Sequence, residues 1–332
     1  MDLEPTDDQA ALAAELARFL ADRVTPEARR AAAERPGAVD RDLWRALGEL
    51  GTFSLTVPEA HGGVGLGMAE ATLVFEELGR AAVPGPLIGT FLAAGLDVPV
   101  AAAAGTGDAV VGLVPAGRPA FVEHRAGLDA LLVVGPDRVA LAGPPNAAAC
   151  RPVSRPLDPL TPVDVVDELP EGEPVGGAEL ADRLRRDAAL LAAALQVGLA
   201  GGALALATDY ALGRVQFGRP IGSFQALKHL LADARVAVEV ARAAVAAAGV
   251  GIDEDDDARR EADSVGAVQA VAAARIVASR AADRATRACV QVHGGIGFTW
   301  ELDAHLFLKR ALVLDVGVGS ADDAVESLAA TL

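Results

Sequence analysis

Two short stretches in the C-terminal half carry residue types suited to gripping an anionic ligand. The first is Tyr210-Ala-Leu-Gly-Arg214-Val-Gln216-Phe217-Gly218-Arg-Pro220-Ile221-Gly-Ser-Phe224-Gln225. It reads as a helix end, a turn fixed by Gly218 and Pro220, and a new helix start. An arginine at such a corner can project toward a phosphate or carboxylate and make charge-assisted bonds to it. An ordinary helix–turn–helix corner with a surface arginine has the same pattern. The second stretch is Gln291-Val-His293-Gly294-Gly295-Ile-Gly297-Phe298-Thr-Trp300-Glu301. Its glycines let a backbone approach a ligand with no side chain between them, and Gln291 can bond a polar edge or a phosphate oxygen. A helix C-cap followed by a turn accounts for the same residues.

Other chemistries find little support. Cys150 and Cys289 lie far apart, and His61, His124, His229, His293 and His305 are scattered without ligand spacing, so no metal site or disulfide framework is expected. There is no P-loop and no Ser–His–Asp elbow. The glycine-rich run at residues 62–67 does not open a helix after a strand, which argues against a Rossmann fingerprint.

The elements that must position these stretches are mostly helical. The chain has 332 residues, 52% of them hydrophobic but only 4% aromatic. Alanine dominates the apolar count, and it forms helices well and strands poorly. Residues 1–96 read as an N-terminal helical domain. Thr6 is a candidate N-cap for a helix over 7–23, and Leu43, Trp44 and Leu47 stripe a second helix over 40–50. Residues 97–177 read as a small β domain and linker, with short strands at 110–114, 131–134, 139–142 and 163–166 between proline-rich turns. Residues 168–177 are the linker, acidic and carrying proline and glycine. Residues 178–332 read as a helical bundle with long helices over 179–212, 224–250 and 258–292. The acidic run 253–257 is expected in a solvated turn between two of them.

The net charge of −17 excludes nucleic-acid partners and disfavours anionic membrane surfaces. The first eight residues are acidic, with no basic stretch leading into an apolar core, so a cytoplasmic location is expected. The apolar run 188–207 is interrupted by Gln196 and is expected as a buried bundle helix, not a membrane span.

Taken together, the Arg-x-Gln-Phe-Gly-x-Pro-Ile-x-x-Phe-Gln and Gln-Val-His-Gly-Gly-Ile-Gly-Phe-Thr-Trp-Glu stretches resemble the two C-terminal signatures of the acyl-CoA dehydrogenase family. Leu-Trp-Arg-Ala-Leu-Gly from Leu43, Val-Pro-Glu-Ala-His-Gly-Gly from Val57 and Phe-Glu-Glu-Leu-Gly-Arg ending at Arg80 extend the likeness. The resemblance implies a mainly α fold: an N-terminal helical domain, an abbreviated middle β domain and a C-terminal four-helix bundle that drives dimer or tetramer formation. It implies FAD as cofactor, an acyl-CoA thioester as substrate and an electron-transfer flavoprotein as electron acceptor. In the family these motifs touch FAD held mainly by the neighbouring subunit. By that resemblance Arg214 pairs with the FAD pyrophosphate, Gln216 and Phe217 line the cofactor, and Gln291, Gly294 and Gly295 contact its pyrophosphate–adenosine part. The reaction implied is α,β-desaturation, with a carboxylate taking the α proton and the flavin a hydride from the β carbon.

The sequence departs from the family in two places. Between residues 110 and 170 it lacks the Thr-Glu-Pro-type loop and the tryptophan segment that cover the flavin ring. At the position of the usual catalytic glutamate stands Val318 or Gly317, and neither takes a proton. Some members carry the base on the first long bundle helix, and the carboxylate at that place is Asp187. A solvated helix-surface aspartate beside Arg183, Arg185 and Arg186 fits Asp187 as well. These features resemble the small subunit of two-chain actinobacterial acyl-CoA dehydrogenases, in which one chain contributes the base and the other the arginine and glycine motifs. The second role suits this chain. A catalytically inactive structural subunit, or a flavin-dependent oxidase or hydroxylase on the same fold, are the alternatives.

Overall fold

Local capping chemistry sets where the N-terminal helices begin. The computed structural model describes residues 4–35, 37–258, 265–316 and 320–329. Helix α1 (Asp7–Arg23) starts at the expected Thr6, which exchanges hydrogen bonds with Gln9 in a capping box. Helix α2 (Pro26–Ala33) follows a Thr25 cap with proline at its first position. It buries no residue, so it has no apolar stripe for periodicity to detect. Asp40 caps α3 (Arg41–Glu49), whose Leu43, Trp44 and Leu47 are buried as their spacing predicts. Helices α4 (Met68–Arg80), α5 (Leu87–Ala94) and α6 (Ala101–Gly105) complete this region.

The middle of the chain forms two small sheets. Strands β1 (Val111–Pro115), β2 (Ala120–Glu123), β3 (Ala130–Val134), β4 (Arg138–Ala142), β5 (Cys150–Pro152), β6 (Val163–Val166) and β7 (Glu173–Gly177) sort into β1-β3-β4-β7 and β2-β6-β5. Strands β1 and β3 run parallel and the other pairs antiparallel. The segment expected as a linker over 168–177 ends in strand, because β7 pairs with β4 across a bulge at Val139 and Ala140. Proline and glycine there mark an edge strand, where one side needs no ladder partner.

Helix α7 (Ala178–Gly213) then runs unbroken for 36 residues. A two-residue hairpin follows, β8 (Val215–Gln216) and β9 (Arg219–Pro220), before α8 (Gln225–Ala258), α9 (Val265–His293), α10 (Ala304–Val316) and α11 (Ala321–Ala329). The acidic run placed in a turn begins inside α8 instead. Asp253 has a specific role: its two carboxylate oxygens accept from the backbone N–H groups of Met68 and Ala69 at 2.7 and 2.9 Å, capping α4 from a distant helix. Among the described residues α7 alone is long and apolar enough to cross a membrane, and most of its apolar window is buried inside the protein, as expected for 188–207. Val318 lies outside the described residues.

Helix α4 crosses α7 at backbone contact. A Cβ on Gly198 would overlap the carbonyl oxygen of Glu76, and one on Gly79 would overlap that of Leu195. Around this crossing, ionic bonds join the layers. Glu76 of α4 receives Arg80 at 2.7 Å and Arg242 of α8 at 2.9 Å, and Asp303 receives Arg29 and Arg30 of α2 at 2.7 and 3.0 Å. The buried Arg310 of α10 donates to the Val83 carbonyl at 2.9 Å, the Leu160 carbonyl at 3.1 Å and the Thr161 hydroxyl at 2.6 Å, with Asp158 at 3.4 Å. One guanidinium thus fastens the N-terminal helices, the β region and the bundle.

Gly198→Ala is expected to lower stability by about 1–3 kcal/mol, because α4 must move off α7 to admit a methyl group. Denaturant unfolding reads this directly, and unchanged stability would mean the crossing can relax.

Candidate functional site

The two sequence motifs meet at one end of the bundle. Helix α7 stops at Gly213, and the backbone N–H of Arg214 bonds the Tyr210 carbonyl at 2.8 Å. The Tyr210 ring stacks on the His293 ring at 4.3 Å, joining the end of α7 to the end of α9. The buried His293 ring also bonds the Cys289 carbonyl through Nδ1 at 2.8 Å, which fixes its orientation between the two helix ends.

The hairpin tip is built under strain. Phe217 and Gly218 both have positive φ, at 53° and 76°, the geometry of a type I′ turn. Glycine accepts this conformation freely, while phenylalanine pays sterically for it. Phe217 is also 92% exposed, touching only the edge of Phe224 at 6.2 Å. Strained, solvent-facing residues of this kind cluster at ligand clamps and functional sites. Arg214, Gln216 and Gln291 are likewise exposed. The Gln216 amide bonds only its neighbour's carbonyl, at 2.8 Å, and among the described residues the Arg214 guanidinium has no ion-pair partner.

Gly294 and Gly295 open the 3-10 segment Gly294–Phe298 and are exposed. Gly294 needs its hydrogen side chain because φ is 63°. Gly295 has neither a positive φ nor any atom within 4 Å of where a Cβ would stand. Among the described residues nothing excludes a side chain there. Exposed polar groups, a bare glycine backbone and an exposed guanidinium stand at this end of the bundle, residue types that can bond an anionic group such as a phosphate.

Asp187 is elsewhere. It lies near the start of α7, on the wall of a cleft of about 1560 Å³ formed by α3, α5, α6, α7 and the loop before α4. The Arg186 guanidinium meets its Oδ1 at 2.8–2.9 Å. Phe91, Leu92 and Leu184 supply apolar wall, and Glu49, Glu70, Asp97 and Asp253 face the same space, opposed by Arg183 and His61. Burial raises the Glu70 pKa, but hydrogen bonds from Gln9 and the Gly67 N–H outweigh it and leave it lowered overall. Between Asp187 and Arg214 the helix climbs about 40 Å at about 1.5 Å per residue. The structure therefore gathers six of the predicted residues at one end and sets the seventh far from them. Among the described residues no cluster of His, Cys, Asp or Glu could hold a metal ion. Sequence pattern gave Asp253 no place in this cleft, since its acidic run was expected in a solvated turn and only tertiary structure selects the pairing residue.

Comparison with known proteins covers nearly the whole chain. A family model described as acyl-CoA dehydrogenase, N-terminal domain matches residues 6–107, and one described as acyl-CoA dehydrogenase, C-terminal domain matches residues 177–332. The acyl-CoA dehydrogenase IpdE2 of Mycobacterium tuberculosis is 37% identical over 93% of this chain and 92% of its own length. The ChsE4–ChsE5 complex of Mycobacterium tuberculosis contains a chain of the same fold, with a TM-score of 0.83 at 24% identity, covering 99% of this chain and 98% of that one. Butyryl-CoA dehydrogenase of Megasphaera elsdenii superposes with a TM-score of 0.78 at 20% identity, over 100% and 99% of the two chains.

Phe217→Asn converts the hairpin tip to the Asn-Gly pair that type I′ turns prefer, and is expected to stabilise the isolated chain by about 0.5–1 kcal/mol. Thermal unfolding and flavin content of the assembled protein test this together. Higher stability with lower flavin content is the expected pair, and a loss of stability would show that the tip carries no strain.

Proposed function

Because the chain belongs to the acyl-CoA dehydrogenase family of flavin-dependent oxidoreductases, we propose that it works as one subunit of a heteromeric, FAD-dependent acyl-CoA dehydrogenase. Its hairpin and glycine turn complete an FAD site held mainly by a larger partner chain. The observation that carries this reading is the separation along α7. The pyrophosphate and the reacting ring of one flavin lie far closer together than about 40 Å, so Arg214 and Asp187 serve different centres.

In this arrangement Arg214 neutralises pyrophosphate charge, and Gln291 with the Gly294–Gly295 backbone approaches the adenosine side. Gln216 and Phe217 cover the cofactor and exclude water. FAD bound there would supply the acceptor for the hydride leaving the β carbon, and an electron-transfer flavoprotein is the proposed acceptor of the electrons. The acyl-CoA and the base that takes its α proton belong to the partner's side of that centre. The acidic residues of the large cleft suit the phosphates of coenzyme A poorly, which supports placing the substrate's nucleotide there too. The ChsE4–ChsE5 likeness supports a two-chain assembly by analogy of fold.

A second reading is favoured by one observation, the place of Asp187 on a cleft wall lined by Phe91 and Leu184. There Asp187, paired with Arg186, is the base of a second centre.

Arg214→Ala is expected to weaken FAD retention in the assembled enzyme by about 2 kcal/mol, the loss of a charge-assisted bond. Flavin occupancy after gel filtration measures it, and unchanged occupancy removes Arg214 from the site. Asp187→Asn is expected to leave steady-state desaturation intact, while abolished turnover with unchanged flavin content would establish the second reading.

A further inference from the structure

Val236 and Val240 of α8, Val277 of α9 and Leu312 of α10 line a groove of about 590 Å³ on the outside of the bundle. Val236 is 63% exposed and Val240 55% exposed, one turn apart on the same helix. Open apolar surface with a charged rim is the kind that another chain covers.

The rim charges say what kind of chain. Asp283, Asp315, Arg280 and Arg284 stand there. Both carboxylates are engaged within the chain, Asp283 by Arg287 at 2.5 Å and Asp315 by the buried Arg275 at 3.7 Å. Arg280 and Arg284 are exposed, one turn apart on α9, and among the described residues neither has an ion-pair or hydrogen-bond partner. This chain has 46 acidic residues against 29 Lys and Arg, so cations on it have carboxylates to spare, yet these two are left open beside an apolar floor. Their complement is a helix with an apolar stripe and two carboxylates one turn apart.

A second copy of this chain does not supply that complement. In a two-fold contact one patch meets itself. Arg280 and Arg284 would then face their own copies, while both carboxylates of the groove are already taken. Like charges so placed select against the self pair. The same face of α9 also runs on toward the proposed cofactor-binding end. Gln291 follows Arg284 by about two helical turns, a rise of about 10 Å, so a chain seated in the groove reaches the end of the bundle that carries Gln291.

We infer that this groove seats the larger, unlike chain through an acidic amphipathic helix, and that Arg280 and Arg284 select that chain over a second copy. The inference rests on the two-chain reading above and adds to it the surface and the charge chemistry of the pairing.

The test is the affinity of this chain for the larger acyl-CoA dehydrogenase chain, the two purified separately and mixed with FAD at low and high salt. Flavin content of the complex, and native mass and thermal unfolding of each variant alone, are read beside it. Arg280→Glu with Arg284→Glu is expected to weaken the complex about a hundredfold, to lower its flavin content in step, and to leave thermal unfolding of the chain alone unchanged. Arg280→Ala with Arg284→Ala keeps the question open to measurement if the charge reversal disturbs folding. It is expected to weaken the complex about tenfold, to flatten its dependence on salt, and to raise self-association of the chain alone. An unchanged complex in these variants overturns the inference and leaves the two-chain reading standing. Self-association of the wild-type chain that the alanine pair weakens assigns the groove to a second copy and overturns it too. A wild-type chain that holds FAD alone and does not bind the larger chain removes the two-chain reading, and the inference with it.

Discussion

The backbone contact between α4 and α7 is the constraint from which the rest of the architecture follows. Glycines at 79 and 198 let the two helices touch without side chains between them. With α4 pressed against it and α9 packed along it, α7 is buried on most sides and stays helical for 36 residues. Its two ends are thereby held far apart. One end forms the wall of the large cleft, and the other launches the hairpin that carries Arg214 and Phe217. No bending of a buried helix can bring those ends to one ligand.

Ionic junctions hold the remaining layers in register around that axis. Arg310, Asp303 and Glu76 each receive or give bonds to elements distant in sequence. These groups are buried, and an unpaired charge at any of them costs several kcal/mol. Their value lies in orientation: they determine how the β region sits on the bundle. At the edge of the cleft, Asp253 of α8 caps α4.

Much of this was legible from residue pattern. The Thr6 capping box and the Leu43–Trp44–Leu47 stripe are local features and appear where spacing puts them. Both binding motifs were visible because glycine and proline at fixed offsets leave few backbone choices. Other features were not. Helix α2 has no apolar face, so periodicity passed over it. Strand β7 is rich in proline and glycine because it lies at a sheet edge, and it reads as a linker until its partner β4 is known. Asp253 looks like any carboxylate in an acidic run, and only the fold brings it to the first turn of α4. The separation of Asp187 from Arg214 was implicit in their numbers, yet it carried meaning only once α7 proved to be a single helix. Among the described residues, no neighbouring atom requires a glycine at 295.

The central claim is that this chain completes a flavin site it does not hold alone. The most direct measurement is flavin stoichiometry, from the visible absorption spectrum and native mass of the chain purified by itself and after co-expression with a larger acyl-CoA dehydrogenase chain. The account predicts a colourless chain alone and a yellow complex with one FAD per pair of unlike chains. A yellow dimer or tetramer of this chain alone, with one FAD per subunit, would contradict it.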